Sequence, residues 1–97
     1  MDTFDSLRKQ FYRAVLSLRD EDDCDRFFRD ICTIKEMQEL PQRLEVARLL
    51  SDGRNYQEIT EKTTVSSATI SRVSRCLLYG DGGYRRVLER LGGKENE

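Results

Sequence analysis

Phe4, Leu7, Phe11, Ala14 and Leu18 recur at alternating intervals of three and four residues, with Arg8, Lys9, Arg13 and Arg19 falling between them. That rhythm predicts an amphipathic helix from about Asp5 to Leu18. An acidic run, Asp20-Glu21-Asp22-Asp23-Cys24-Asp25, comes next. A calcium loop of the EF-hand kind needs glycine at its sixth position, where Asp25 stands, so calcium binding is not expected. These carboxylates are better suited to capping a second helix, whose Phe27, Phe28 and Ile31 share one face. Thr33 followed three residues later by Glu36 fits a capping box, opening a third helix with apolar positions Leu40, Leu44, Ala47 and Leu50. Pro41 is expected to bend or interrupt that helix, which should end near Ser51-Asp52-Gly53 with Gly53 in a left-handed conformation.

Residues 55–78 hold two shorter helical stretches separated by Thr63-Thr64-Val65-Ser66. After the break at Gly80-Asp81-Gly82-Gly83, a last amphipathic piece over 83–91 carries Tyr84, Val87, Leu88 and Leu91, and the chain is expected to fray from Gly92 onward. No strand-like alternation and no internal repeat stand out. The pattern predicts an all-α chain of about six helices forming a single domain over 1–97, with segments 1–52, 55–78 and 83–91 as its parts.

Composition narrows the function. Ninety-seven residues, 37% of them hydrophobic and 36% charged, suit one small helical domain of a size at which partners often add stability. Histidine is absent, which removes the commonest general base and the commonest transition-metal ligand. No phosphate-cradling glycine loop and no nucleophile elbow can be found. Cys24, Cys32 and Cys76 are three in number and form no CxxC pair, so neither a disulfide framework nor a zinc site is indicated. An enzyme is not expected, nor is a cofactor or a metal. No window resembles a membrane span, and the opening residues MDTFDSLRKQ lack the apolar core of a signal peptide, so a cytoplasmic protein is expected.

Net charge is −1 overall but uneven along the chain. Residues 1–52 carry nine basic against twelve acidic side chains, and residues 53–91 carry seven against four. Any surface for a polyanion therefore belongs to the C-terminal half. Within it, Tyr56 through Val73 has the spacing of a helix-turn-helix: counted from Tyr56, Ile59, Val65, Ile70 and Val73 fall at the fourth, tenth, fifteenth and eighteenth positions, where two short helices packed at a steep angle need apolar contacts. Thr64 stands where such turns often have glycine, so its backbone must take a less permissive route. Ser66 is placed to cap the second helix, leaving Ser67, Ala68, Thr69, Ser71, Arg72 and Arg75 as an outward face. Small hydroxyl and methyl groups let a helix approach base edges, and its N-terminal dipole and nearby arginines suit phosphates. Gln57 and Lys62 on the first helix are further candidate contacts to double-stranded DNA, and Arg85 and Arg86 continue the positive charge beyond the second helix.

With Gln57 to Arg72 as its sharpest part, and Ala68-Thr69-Ile70-Ser71-Arg72 at its end, the stretch from about Thr33 to Leu78 resembles the Trp repressor family, and within it the TrpR-like branch labelled YerC/YecD. The resemblance implies a sequence-specific transcriptional regulator, a repressor, acting as an intertwined homodimer whose N-terminal helices interlock with the long third helix. Members that bind tryptophan hold it with a threonine, two arginines and a glycine that makes room for the indole. Here Thr33, Arg43 and Arg72 stand at the first three positions and Val73 replaces the glycine. A valine there also suits helix-turn-helix packing, and its isopropyl group fills the space of a ring. Tryptophan is accordingly not expected as an effector, while Arg43 and Arg72 either hold another carboxylate or pair with acidic neighbours. The competing reading is a helical protein-interaction module that keeps the dimer fold without operator binding, supported by the acidic N-terminal half.

Overall fold

A computed structural model describes residues 3–95 of the chain. Among them are six helices and no strand: α1 (Thr3–Leu16), α2 (Glu21–Ile31), α3 (Ile34–Ser51), α4 (Tyr56–Lys62), α5 (Ser67–Tyr79) and α6 (Gly83–Glu95). No helix among the described residues is long and apolar enough to cross a membrane. The backbone divides between Met37 and Gln38 into two compact units.

In the first unit, α1 ends earlier than its apolar rhythm. The Ser17 amide donates to both Arg13 and Ala14 carbonyls, and the Leu18 amide donates to Val15, so the last turn tightens and leaves Leu18 outside the helix. Asp20 caps α2 by accepting a 2.8 Å bond from the Asp23 amide, the role expected of the acidic run. Phe11 and Phe27 meet with ring centroids 6.2 Å apart, and Phe28 lies edge-on to Phe27 at 5.3 Å. Neither helix buries a single side chain, however. Phe4, Leu7, Tyr12 and Leu16 are exposed, and so is Ile31 of the expected apolar face. The capping box before α3 is present: the Glu36 amide donates to Thr33 Oγ1 at 3.1 Å and the Thr33 amide to Glu36 Oε1 at 2.9 Å.

α3 runs through Pro41 without interruption, so of the expected bend or break the break does not occur. A proline inside a helix removes one backbone bond and crowds the carbonyl four residues back, a cost that does not end the helix here. Of the expected stripe of α3, Ala47 is buried, Leu50 packs beside the core, Leu44 is half-buried and Leu40 is exposed, while Val46 and Leu49 are buried in addition. Its end is a Schellman motif: Gly53 takes φ of +89°, its amide donates to Leu50 and the Arg54 amide donates to Leu49.

The second unit has one dry core of Val46, Ala47, Leu49, Ile59, Ile70 and Val73, with Val65, Leu77, Tyr84 and Leu88 packed on its margin. α4 packs on α5, and α5 on α6. α3 and α6 leave between them a recess of about 500 Å³ whose walls include Pro41, Leu44, Arg48, Leu88 and Leu91. Arg48 bridges Glu45 (2.7 Å) and Asp52 (3.1 Å) at its rim. The hydrogen bond from Arg48 holds the Glu45 carboxyl below its ordinary pKa against desolvation, and the charges of Arg48 and Lys62 act in the same direction. α6 continues to Glu95 instead of fraying at Gly92, another correction; glycine weakens a helix by only about 1 kcal/mol relative to alanine and does not forbid it.

Candidate nucleic-acid interface

Local hydrogen bonds define the helix-turn-helix. Asn55 opens α4 with a capping box, its Oδ1 accepting from the Glu58 amide and its amide donating to Glu58 Oε1, both at 2.9 Å. Thr63 closes α4: its amide and its hydroxyl both donate to the Ile59 carbonyl, at 2.9 and 2.8 Å. The chain then crosses Thr64 and Val65, and no residue there has positive φ, so the turn dispenses with the left-handed glycine such motifs often use. Gln42 of α3 steadies it, donating from Nε2 to Thr64 Oγ1 at 3.3 Å. Ser66 then caps α5, its Oγ accepting from the Thr69 amide at 3.2 Å and donating to Thr69 Oγ1.

The four apolar offsets read from the sequence are the ones that pack. Ile59 and Ile70 are fully buried, Val73 is 1% exposed, and Val65 lies against the same cluster, whereas Tyr56 at the first position is exposed. This core leaves Ser67, Ala68, Ser71, Arg72 and Arg75 exposed along α5, Thr69 half-buried beneath its cap, and Ser66, Gln57 and Lys62 exposed beside them. Short hydroxyls and a methyl thus occupy the first turn, where a helix can come close to a flat or grooved polyanion, and the arginines follow one and two turns later.

Among the described residues Arg13, Arg19, Lys62 and Arg90 have no ion pair, while many other basic side chains are paired locally. Arg8 and Lys9 pair with Asp5, Arg26 with Asp22 and Arg29 with Asp25, each within one helical turn. Arg72, Arg75 and Arg86 have no ion pair among the described residues. Arg85, which by sequence alone joined this positive margin, is engaged: its Nε donates to the Leu77 carbonyl at 2.8 Å.

The four residues considered for an effector are distributed differently. Arg43 lines a polar recess of about 210 Å³ with Glu39, Gln42, Thr64, Val65, Ser66 and Thr69, its guanidinium 4.0 Å from Glu39. Val73 belongs to the core, Arg72 is exposed on α5, and the Thr33 hydroxyl caps α3. Sequence reasoning missed Gln42, the Asn55 box and the bond from Arg85. The Asn55-x-x-Glu58 spacing signalled the box, but no short-range pattern signals the other two, which join residues 22 and 8 positions apart.

Comparison with known proteins agrees with this architecture. The chain is 51% identical over 88 residues to the uncharacterized protein YerC of Bacillus subtilis (strain 168), covering 91% of this chain and 85% of that protein. It superposes with a TM-score of 0.84 on a TrpR-like protein from Eubacterium eligens ATCC 27750, at 55% identity and 87% coverage of both chains. A candidate Trp repressor from Staphylococcus aureus gives a TM-score of 0.87 at 38% identity, over 90% of this chain and 87% of that one. Residues 6–92 match the family model described as Trp repressor protein, and with six helices built around this helix-turn-helix the chain belongs to that family.

Proposed function

We propose that this chain is a sequence-specific, DNA-binding transcriptional regulator, a repressor, that acts as a homodimer in the cytoplasm and catalyses no reaction. The observation that carries the reading is the α5 face: small polar residues at its capped N-terminus, arginines without acidic partners behind them, and a dry core fixing the helix from the other side. Ser67, Ala68, Thr69 and Ser71 would meet base edges, with Gln57, Lys62, Ser66, Arg72 and Arg75 on phosphates or on neighbouring bases.

The homodimer is supported by α1 and α2, which expose Phe4, Leu7, Tyr12 and Leu16 and bury nothing. Exposed apolar area of that kind needs a cover, and a second copy supplies one by symmetry. Tryptophan is not the effector in this reading, because Val73 fills the position that the family's glycine leaves open. Arg43, beside its polar recess, leaves a carboxylate ligand of another kind as the open alternative.

The salt dependence of binding tests the proposal. If Lys62, Arg72 and Arg75 neutralise phosphates, each alanine variant should lower the slope of log affinity against log salt by about 0.9. An unchanged slope in all three variants would contradict the proposed surface and favour the interaction-module reading.

A further inference from the structure

The last turn of α5 is secured from outside the helix. The final carbonyls of a helix have no intrahelical donor, and those left facing solvent let the end fray. Here the Cys76 carbonyl accepts from the Gly80 amide at 2.9 Å, and the Leu77 carbonyl accepts from Arg85 Nε at 2.8 Å, a bond from the first turn of α6. The exit is tightly shaped: a Cβ on Gly80 would collide with the Cys76 carbonyl oxygen, so no other residue leaves the helix by this path without a shift. Gly82, with φ of +84°, then reverses the chain, and its carbonyl accepts the Arg86 amide, which starts α6 in the place that brings Arg85 back onto α5.

We propose that Arg85 is a positioning residue for the recognition helix: its guanidinium, seated on the Leu77 carbonyl, ties the C-terminal end of α5 to α6 and so fixes the angle at which Ser67, Ala68 and Ser71 are presented. The positive charge also suits the negative end of the helix dipole. Arg85 therefore differs in kind from Arg72 and Arg75 on the outward face. It acts through the orientation of α5 rather than by touching DNA. The consequence for binding rests on the DNA-binding reading above, whereas the tether itself does not.

Two substitutions separate the bond from the charge. Lysine places a methylene where Arg85 has Nε, with its ammonium one bond farther out, so Arg85→Lys keeps the charge and loses the donor at that position. Glutamine places its amide nitrogen where Nε stands, so Arg85→Gln keeps a donor and loses the charge. The experiment measures amide hydrogen exchange at Leu78, Tyr79 and Gly80 in the full chain, together with affinity over a salt series for a duplex enriched by the wild-type chain and for an unrelated duplex. Arg85→Lys should speed exchange at those amides about two- to fivefold, and should weaken binding to the enriched duplex by a similar factor. Its salt slope and its affinity for the unrelated duplex should stay as in wild type. Arg85→Gln should remain within about twofold of wild type in exchange and in preference for the enriched duplex.

Unchanged exchange in Arg85→Lys overturns the proposal. So does the reverse pattern, in which Arg85→Gln weakens both duplexes alike and its slope falls by about 0.9, the signature of a phosphate contact. If the wild-type chain binds no duplex, the DNA-binding reading fails while the exchange comparison still decides the tether.

Discussion

α1 and α2 place aromatic and aliphatic side chains at helical spacing yet bury none of them, whereas the segment after Met37 closes over six apolar residues and leaves its polar ones capped or outward. Both regions are amphipathic, so periodicity alone does not distinguish them. The difference lies in supply: the second unit has four helical stretches to enclose one core, and the first has two helices that bury no side chain. A helix-turn-helix can thus pack its own core within one chain, while the exposed apolar face of α1 and α2 is what the proposed homodimer would cover.

The largest expected effect breaks the second half of this comparison. Ile70→Ala removes a fully buried side chain between α4 and α5 and should cost about 2–5 kcal/mol of stability at every protein concentration, measured by denaturant unfolding. Leu7→Ser, on the exposed face of α1, should act through concentration instead: its melting temperature should fall most where wild type is dimeric and converge with wild type on dilution. Equal losses from Leu7→Ser at all concentrations would mean that the hairpin is stabilised within the chain.

Val73→Gly probes the same core from the ligand side. It should destabilise the protein by about 2–4 kcal/mol through a lost buried side chain and a helix glycine. Calorimetry should show no tight tryptophan binding by wild type and a gain in Val73→Gly. Micromolar tryptophan binding by the unmodified chain would refute the steric argument.

Ser66→Ala isolates the N-terminal cap of α5. Loss of the bond to the Thr69 amide should cost about 1 kcal/mol, read as a lower midpoint with an unchanged denaturant slope. The smallest effect is electrostatic. The Glu45 carboxyl is held below its ordinary pKa chiefly by Arg48, so its contribution is present above the unfolded pKa and is lost as pH falls through the lowered folded value. The pair is about half exposed, and solvent screening limits it to under ~0.5 kcal/mol. The stability gap between wild type and Glu45→Gln should accordingly close as the solution is acidified.

What could be read from the sequence follows the range of each interaction. The box formed by Thr33 with Glu36, the cap at Ser66 and the turn at Gly53 each involve donors and acceptors a few residues apart, so the pattern and the geometry carry the same information. The offsets of Ile59, Val65, Ile70 and Val73 were legible for a related reason: a short motif fixes its own contacts. Pro41 does not interrupt α3, because local preference gave way to the helix on both sides of it. Leu40 was misplaced because a stripe shows which residues share a face but not which part of that face finds a neighbour. The contacts from Gln42 and Arg85 reach across elements and depend on packing that no local pattern encodes.

The most direct test of the account is selection of bound fragments from a random pool of duplex DNA by the intact chain. The proposed homodimer, reading DNA through α5 of each copy, predicts a consensus with two-fold symmetry, its half-sites about one helical turn apart. No enrichment would contradict the assignment of α5 as a DNA-reading helix, and a single asymmetric site would contradict the homodimer.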